Sequence, residues 1–141
     1  ASKGEGAYLN NERIRVTVSS GLDDTLIGTG FPFKNPQHLD CYLDTFKAIL
    51  PHVSDIRRTG AAALDLAYVA AGRLDGFWEI GLNSWDMAAG ALLVKEAGGF
   101  IGDFSGRDKY METGNVVAGN AGVYKDILKK IHPYLTPDLQ R

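Results

Sequence analysis

Cysteine is almost absent. Cys41 is the only one in 141 residues, so no intrachain disulfide can form and no cysteine-rich zinc or iron–sulfur site can be assembled. That usage fits a reducing cytoplasm. An excess of one charge is also missing: 15 Lys and Arg stand against 17 Asp and Glu, a formal net charge of -2. Like charges nowhere form a block, which argues against direct binding to nucleic acid or to anionic lipid. No apolar run approaches the roughly 18 residues that cross a bilayer, and the opening Ala-Ser-Lys-Gly-Glu-Gly lacks a signal peptide's apolar segment. What is present is globular composition, 45% hydrophobic and 23% charged, in a length that suits one core. The 17 glycines fall between patterned segments, where tight connections need them.

Strand and helix patterns alternate along the chain. Residues 6–20 read as a hairpin turning at Asn10-Asn11, with Ile14, Val16 and Val18 on one face. Thr25 to Thr29 has the composition of a buried strand. Asn35-Pro36 then starts a helix carrying Leu39, Tyr42, Leu43, Phe46, Ile49 and Leu50, and Pro51 stops it. A strand at 55–59 leads into a helix at 61–71, with Leu64, Ala67, Tyr68 and Ala71 on one side and Gly72 as its stop. A strand at 76–80 precedes a helix at 84–97 that turns Met87, Ala88, Ala91, Leu92 and Val94 inward. Strands at 100–103 and 115–118 and a helix at 121–135 complete the pattern. The alternation predicts an α/β fold: a mixed, largely parallel sheet with helices on both faces.

In such sheets, sites form beyond the carboxyl ends of the strands. The crossing Glu79-Ile80-Gly81-Leu82-Asn83-Ser84-Trp85-Asp86 places one carboxylate at a strand end and another in the first turn of a helix. Asp86 there has an ordinary structural role open to it, because an acid in a first helical turn interacts favourably with the macrodipole by roughly 0.3–1 kcal/mol. Glu79 closes an apolar run beside Phe77 and Trp78, and so needs a partner or solvent. Together the two could hold a hard cation and an anionic substrate, since magnesium prefers oxygen ligands and helix amides attract phosphate. Two-metal phosphoryl chemistry generally needs more carboxylates than this segment supplies. Arg57-Arg58, ahead of Thr59-Gly60-Ala61-Ala62, reads either as surface or interface charge or as a guanidinium at a strand end, poised for a phosphate or polyol.

Other candidates carry less. Asp40 and Asp44 fall on the polar side of the first helix, Asp23-Asp24 lies in a turn, and His38, His52 and His132 have no ligand spacing. Gly102 to Gly106 is not a nucleophile elbow, and Gly28-Thr29-Gly30 lacks the third glycine of a dinucleotide fingerprint. Trp85 and the Phe and Tyr residues sit at core spacings and read as structural.

The run Trp85-Asp86-Met87-Ala88-Ala89-Gly90-Ala91-Leu92-Leu93-Val94-Lys95-Glu96-Ala97-Gly98-Gly99 closely resembles the C-terminal signature of the inositol monophosphatase family, W-D-x-A-A-G-x-x-L-x-x-E-A-G-G. Gly4-Glu5-Gly6-Ala7-Tyr8-Leu9-Asn10 is similar to a strand of that family, and residues 57–73 resemble its bacterial SuhB-type branch. The resemblance covers essentially the whole chain but only the second half of a family member. It implies the second half of a layered αβαβα sugar-phosphatase fold, with residues 1–20 belonging to the sheet of a preceding half and 21–141 forming a C-terminal α/β domain. It implies a magnesium-dependent, lithium-sensitive phosphomonoesterase, usually dimeric, acting on myo-inositol monophosphate, with Asp86 as a metal ligand and Glu79 as a partner of inositol hydroxyls. Gly60, Ala61 and Ala62 would line the substrate pocket and Arg57 would touch substrate. The family's remaining metal-ligand motifs and its water-activating threonine have no counterpart here and would precede residue 1, leaving this segment inactive alone. Asn83 stands where some members carry histidine. The SuhB-type likeness also implies an alternative role as a protein partner of the transcription machinery. A third alternative is a related 3'-phosphonucleotide or fructose-bisphosphate phosphatase.

Overall fold

Successive side chains of a strand point to opposite faces, so a strand with large apolar residues at adjacent positions must be covered on both sides. Gly76–Glu79 is such a strand. In the computed structural model, which describes residues 1–141, Phe77 lies in one hydrophobic core and Trp78 in another, both fully buried. The elements in chain order are β1 (Tyr8–Leu9), β2 (Glu12–Arg13), β3 (Leu26–Thr29), α1 (Leu39–Ile49), β4 (Asp55–Arg57), α2 (Ala62–Ala70), β5 (Gly76–Glu79), α3 (Ser84–Glu96), β6 (Phe100–Gly102), α4 (Tyr110–Thr113), β7 (Val116–Gly119) and α5 (Ala121–Ile131).

Five strands form one sheet in the order β4-β3-β5-β7-β6. β4, β3 and β5 are parallel, while β7 runs antiparallel to both β5 and β6. β7 thus opposes the other four, and the sheet is mixed, as the sequence pattern predicts. Leu66, Val69, Met87 and Val94, from α2 and α3, build the core on one face together with Phe77 and Ala118. Tyr42, Ile49, Val123, Ile127 and Ile131, from α1 and α5, build the other with Trp78 and Val117. Helices therefore cover both faces.

Local chemistry accounts for where elements stop. Asn10 and Asn11, with φ of 51° and 69°, make the tight β1–β2 turn that asparagine tolerates best among side-chain-bearing residues. The ladder is shorter than the 6–20 pattern predicts. Beyond Arg13 the chain leaves β1: Ile14 N–H still donates to Ala7 O, but Val16 N–H donates to Ala97 O at the end of α3. Ile14 and Val16 pack against the α2–α3 core, whereas Val18 is 99% exposed. α5 stops at Ile131 rather than 135, because Pro133 brings a short 3-10 turn at His132–Tyr134. α4 is an element that the pattern does not predict.

Two buried faces differ from the periodic reading. In α2 the buried residues are Asp65, Leu66, Val69 and Ala70, while Leu64 is 52% exposed. In α3, Ala88 is exposed and Gly90 is buried instead. A side chain at Gly90 would start 2.5 Å from Leu66 Cβ, so the missing side chain is what lets α3 approach α2 this closely. No helix is long and apolar enough to cross a membrane.

Candidate active site at the strand ends

The carboxyl ends of β4, β3 and β5 converge on a pocket of about 260 Å³, where an α/β sheet characteristically binds ligands. Each strand delivers one wall. After β3 come Gly30, Phe31, Pro32 and Phe33; after β4 come Arg58, Gly60, Ala61 and Ala62; β5 contributes Glu79 and the run through Asn83 to Asp86. The structure therefore brings together Glu79, Asp86, Gly60, Ala61 and Ala62, five of the six positions implied by resemblance. Arg57 lies elsewhere. Its Nε is 3.4 Å from Asp55 Oδ2 in an exposed pair, and it is the next residue, Arg58, that lines the pocket.

Glu79 sits where a strand runs out of the core, and its carboxylate occupies the space that a side chain at Gly30 would fill. Burial pushes its pKa from 4.5 up to about 7; the nearby Asp65 and Asp86 carboxylates push the same way and Arg58 opposes them. A carboxyl held near neutrality can accept or donate a hydrogen bond to a hydroxyl, depending on pH. Asp86 occupies the third position of α3, and its Oδ2 accepts a hydrogen bond from Asn83 N–H at 3.0 Å. The structural role open to it from sequence is therefore real. It uses one oxygen of the carboxylate, and the side chain still lines the pocket.

Asp65 is buried close enough to Glu79 to raise its pKa, and was not singled out in the sequence. It is 1% exposed, its Oδ1 accepts from Thr59 Oγ1 at 2.7 Å, and its Oδ2 has no partner. Burial raises its pKa, while the Thr59 hydroxyl and Arg58 lower it. Its place in the α2 pattern, one residue before Leu66 and four before Val69, is the signal that could have exposed a carboxylate on a buried stripe.

Arg58 is placed by aromatic rings rather than by acids. Its guanidinium carbon lies 5.2 Å from the Phe31 ring centroid and 5.0 Å from that of Phe33, and the two rings meet at 80°. Each such contact contributes about 0.5–1 kcal/mol at an exposed site. Phe31 packs edge-on against Tyr42, which stacks on Trp78 6.0 Å away, so the pocket's rim is tied to the core. The Tyr42 hydroxyl is 3.0 Å from Thr29 Oγ1, and burial pushes its pKa to about 12. These aromatics do include core residues, but Phe33 is 72% exposed and Trp85 78%, contrary to a purely structural reading. Gly60, with φ of +89°, adopts a backbone that side-chain-bearing residues rarely reach, and it turns the chain from β4 into α2 beside Arg58.

No group of three or more His, Cys, Asp or Glu side chains is placed to hold a metal ion. The donor chemistry nonetheless suits one side of a hard-cation site: the carboxylate residues Asp86 and Glu79 line one cavity.

Residues 1–140 match the inositol monophosphatase family. The chain belongs to that family. It is 54% identical over its whole length to the Nus factor SuhB of Pseudomonas aeruginosa, of which it covers 53%, and 48% identical over 92% of its length to an inositol-1-monophosphatase of Mesorhizobium japonicum, of which it covers 48%. Among solved structures, the extragenic suppressor protein SuhB of Bartonella henselae matches 93% of this chain at a TM-score of 0.89 and 45% identity, over 50% of that protein. The inositol monophosphatase of Anabaena matches 94% at 0.87 and 34%, over 55% of that protein. The chain spans about half the length of the curated relatives it matches.

Proposed function

We propose that this chain supplies one side of the active site of a magnesium-dependent phosphomonoesterase that hydrolyses myo-inositol monophosphate to inositol and phosphate. The observation that carries the reading is the meeting of Glu79 and Asp86 with the Gly60–Ala62 turn in one pocket at the ends of parallel strands. Glu79 would receive ring hydroxyls, and the small residues Gly60, Ala61 and Ala62 would let the substrate approach the backbone. Asp86 would hold magnesium, with its Oδ2 also fixing the start of α3. When bound, the metal would supply Lewis-acid polarisation of the phosphoryl oxygens and a more acidic water. Residues 1–20, whose β1–β2 ribbon is separate from the five-stranded sheet and exposed on both strands, would join the sheet of a preceding half. Family membership extends the proposal to lithium sensitivity, a homodimer and a cytoplasmic location.

The test is magnesium-dependent phosphate release by the full-length protein from myo-inositol monophosphate, a 3'-phosphonucleotide and fructose bisphosphate. Preference for the inositol ester supports the reading. Preference for either of the others contradicts it.

A second reading follows from the Pseudomonas aeruginosa relative, which is named a Nus factor. In that reading the full-length protein binds a protein of the transcription complex. Pull-down of transcription proteins by full-length protein and by its Asp86→Asn variant separates the roles: undiminished capture by a variant without turnover supports an independent binding function.

A further inference from the structure

Arg58 carries a full charge at the pocket, yet it takes part in none of the chain's ion pairs. Its guanidinium donates no hydrogen bond to any protein acceptor, although Asp65 and Glu79 are close enough for it to lower both of their pKa values. The aromatic corner of Phe31 and Phe33 fixes it through contacts to its carbon, which leaves the N–H edges uncommitted. Keeping Phe33 72% exposed is unfavourable for a ring with no other task, and the corner supplies that task. Five donors held in place beside a carboxylate are an arrangement that a ligand oxygen completes.

The charge around the corner limits what that ligand can be. Glu79, Asp65 and Asp86 outnumber the two cations there, Arg58 and Lys34, so a second anionic group would still meet net repulsion. A neutral hydroxyl meets none. Its oxygen can accept from the guanidinium while its hydrogen points to Glu79.

We propose that Arg58 is a specificity-determining residue that donates hydrogen bonds to hydroxyl oxygens of a ring polyol, pairing with Glu79 as acceptor to read the hydroxyl pattern of the substrate. This rests on the polyol-phosphate reading above and adds to it a donor from a position outside those implied by resemblance. The Arg57 side chain, directed toward Asp55, has no part in it.

The experiment uses full-length protein carrying Arg58→Gln, Arg58→Lys, Phe33→Leu or Arg57→Gln, each checked for native circular dichroism. For each, the ratio of kcat/KM on myo-inositol monophosphate to kcat/KM on phenyl phosphate, which lacks hydroxyls, is measured, and myo-inositol itself is titrated calorimetrically. R58Q should lower the ratio about tenfold or more, mainly through KM on the inositol ester, and weaken myo-inositol by a similar factor. R58K should recover only part of that loss, because an ammonium lacks the guanidinium's fork. F33L should lower the ratio about threefold, and R57Q should leave it within about twofold. A ratio unchanged in R58Q, equal loss on both esters, or full rescue by lysine would overturn the proposal. Wild-type protein that hydrolyses neither ester would contradict the phosphatase reading instead, while the myo-inositol titration still decides the role of Arg58: weaker binding in R58Q supports it, and equal affinity or no wild-type binding overturns it.

Discussion

Helices α5 and α3 both follow a strand and both begin at an asparagine cap, yet they are built to different ends. α5 satisfies its start locally, with Asn120 Oδ1 accepting from Val123 N–H, and it buries Val123, Ile127 and Ile131 along one stripe. After Ala121 at its start, its exposed residues are Lys125 and Lys129. α3 enlists a pocket carboxylate, Asp86, for its first turn, leaves Trp85 78% exposed beside it, and approaches α2 through a buried glycine rather than a large apolar side chain. The first arrangement serves packing alone. The second places a negative charge where it is partly buried next to another, Glu79, a cost that a purely structural helix has no reason to carry.

If that contrast is right, substitutions in the two regions separate stability from activity. Ile127→Ala should have the largest effect on folding, about 2–5 kcal/mol in denaturant unfolding of this chain, because it opens a cavity in a closed core. A loss below about 1 kcal/mol would mean that the α5 side is looser than its burial indicates.

Glu79 tests the opposite region through pH. Its folded pKa of about 7 exceeds its ordinary 4.5, so the unfolded chain releases the proton first. The contribution to stability is therefore fully present below pH 4.5, declines as pH rises toward 7, and stays lost above it. Glu79→Gln should stabilise the chain by up to about 3 kcal/mol at pH 8 and by little at pH 4. The same gain at both pH values would show that the carboxyl is not strained by burial. Trp85→Ala, at the smallest end, should change stability by less than about 0.5 kcal/mol, as expected for a ring that packs little of its surface.

Much of this was legible in the sequence where side chains carry strong periodic signals. α1 and α5 have large apolar residues at helical spacing, and both are read as helices from the sequence, α1 with its apolar residues named. α2 gave a weaker signal, because alanines at 62, 63, 67, 70 and 71 mark no face, leaving Leu64 and Tyr68 to compete with Leu66 and Val69. The fold resolved that competition in favour of Leu66 and Val69, and carried Asp65 inward with them. The pocket's acidic pair was readable from its position at a strand-to-helix crossing. Which of two adjacent arginines faces it was not. Neighbouring strand residues point to opposite sides, so the answer depends on how β4 aligns with β3, where Arg57 pairs with Gly28. The Phe31–Phe33 corner was hidden for a similar reason: its partner, Arg58, comes from another strand end and meets it only through the sheet.

The central claim is that Asp86 serves a reaction and not merely the start of a helix. Its most direct test is magnesium-dependent phosphate release from myo-inositol monophosphate by full-length Asp86→Asn, measured beside its unfolding free energy. Turnover should fall by about a hundredfold or more while stability changes by less than about 1 kcal/mol, because asparagine can still accept the Asn83 N–H bond. Near-normal turnover at saturating magnesium, with stability lost instead, would contradict the account and return Asp86 to a capping role alone.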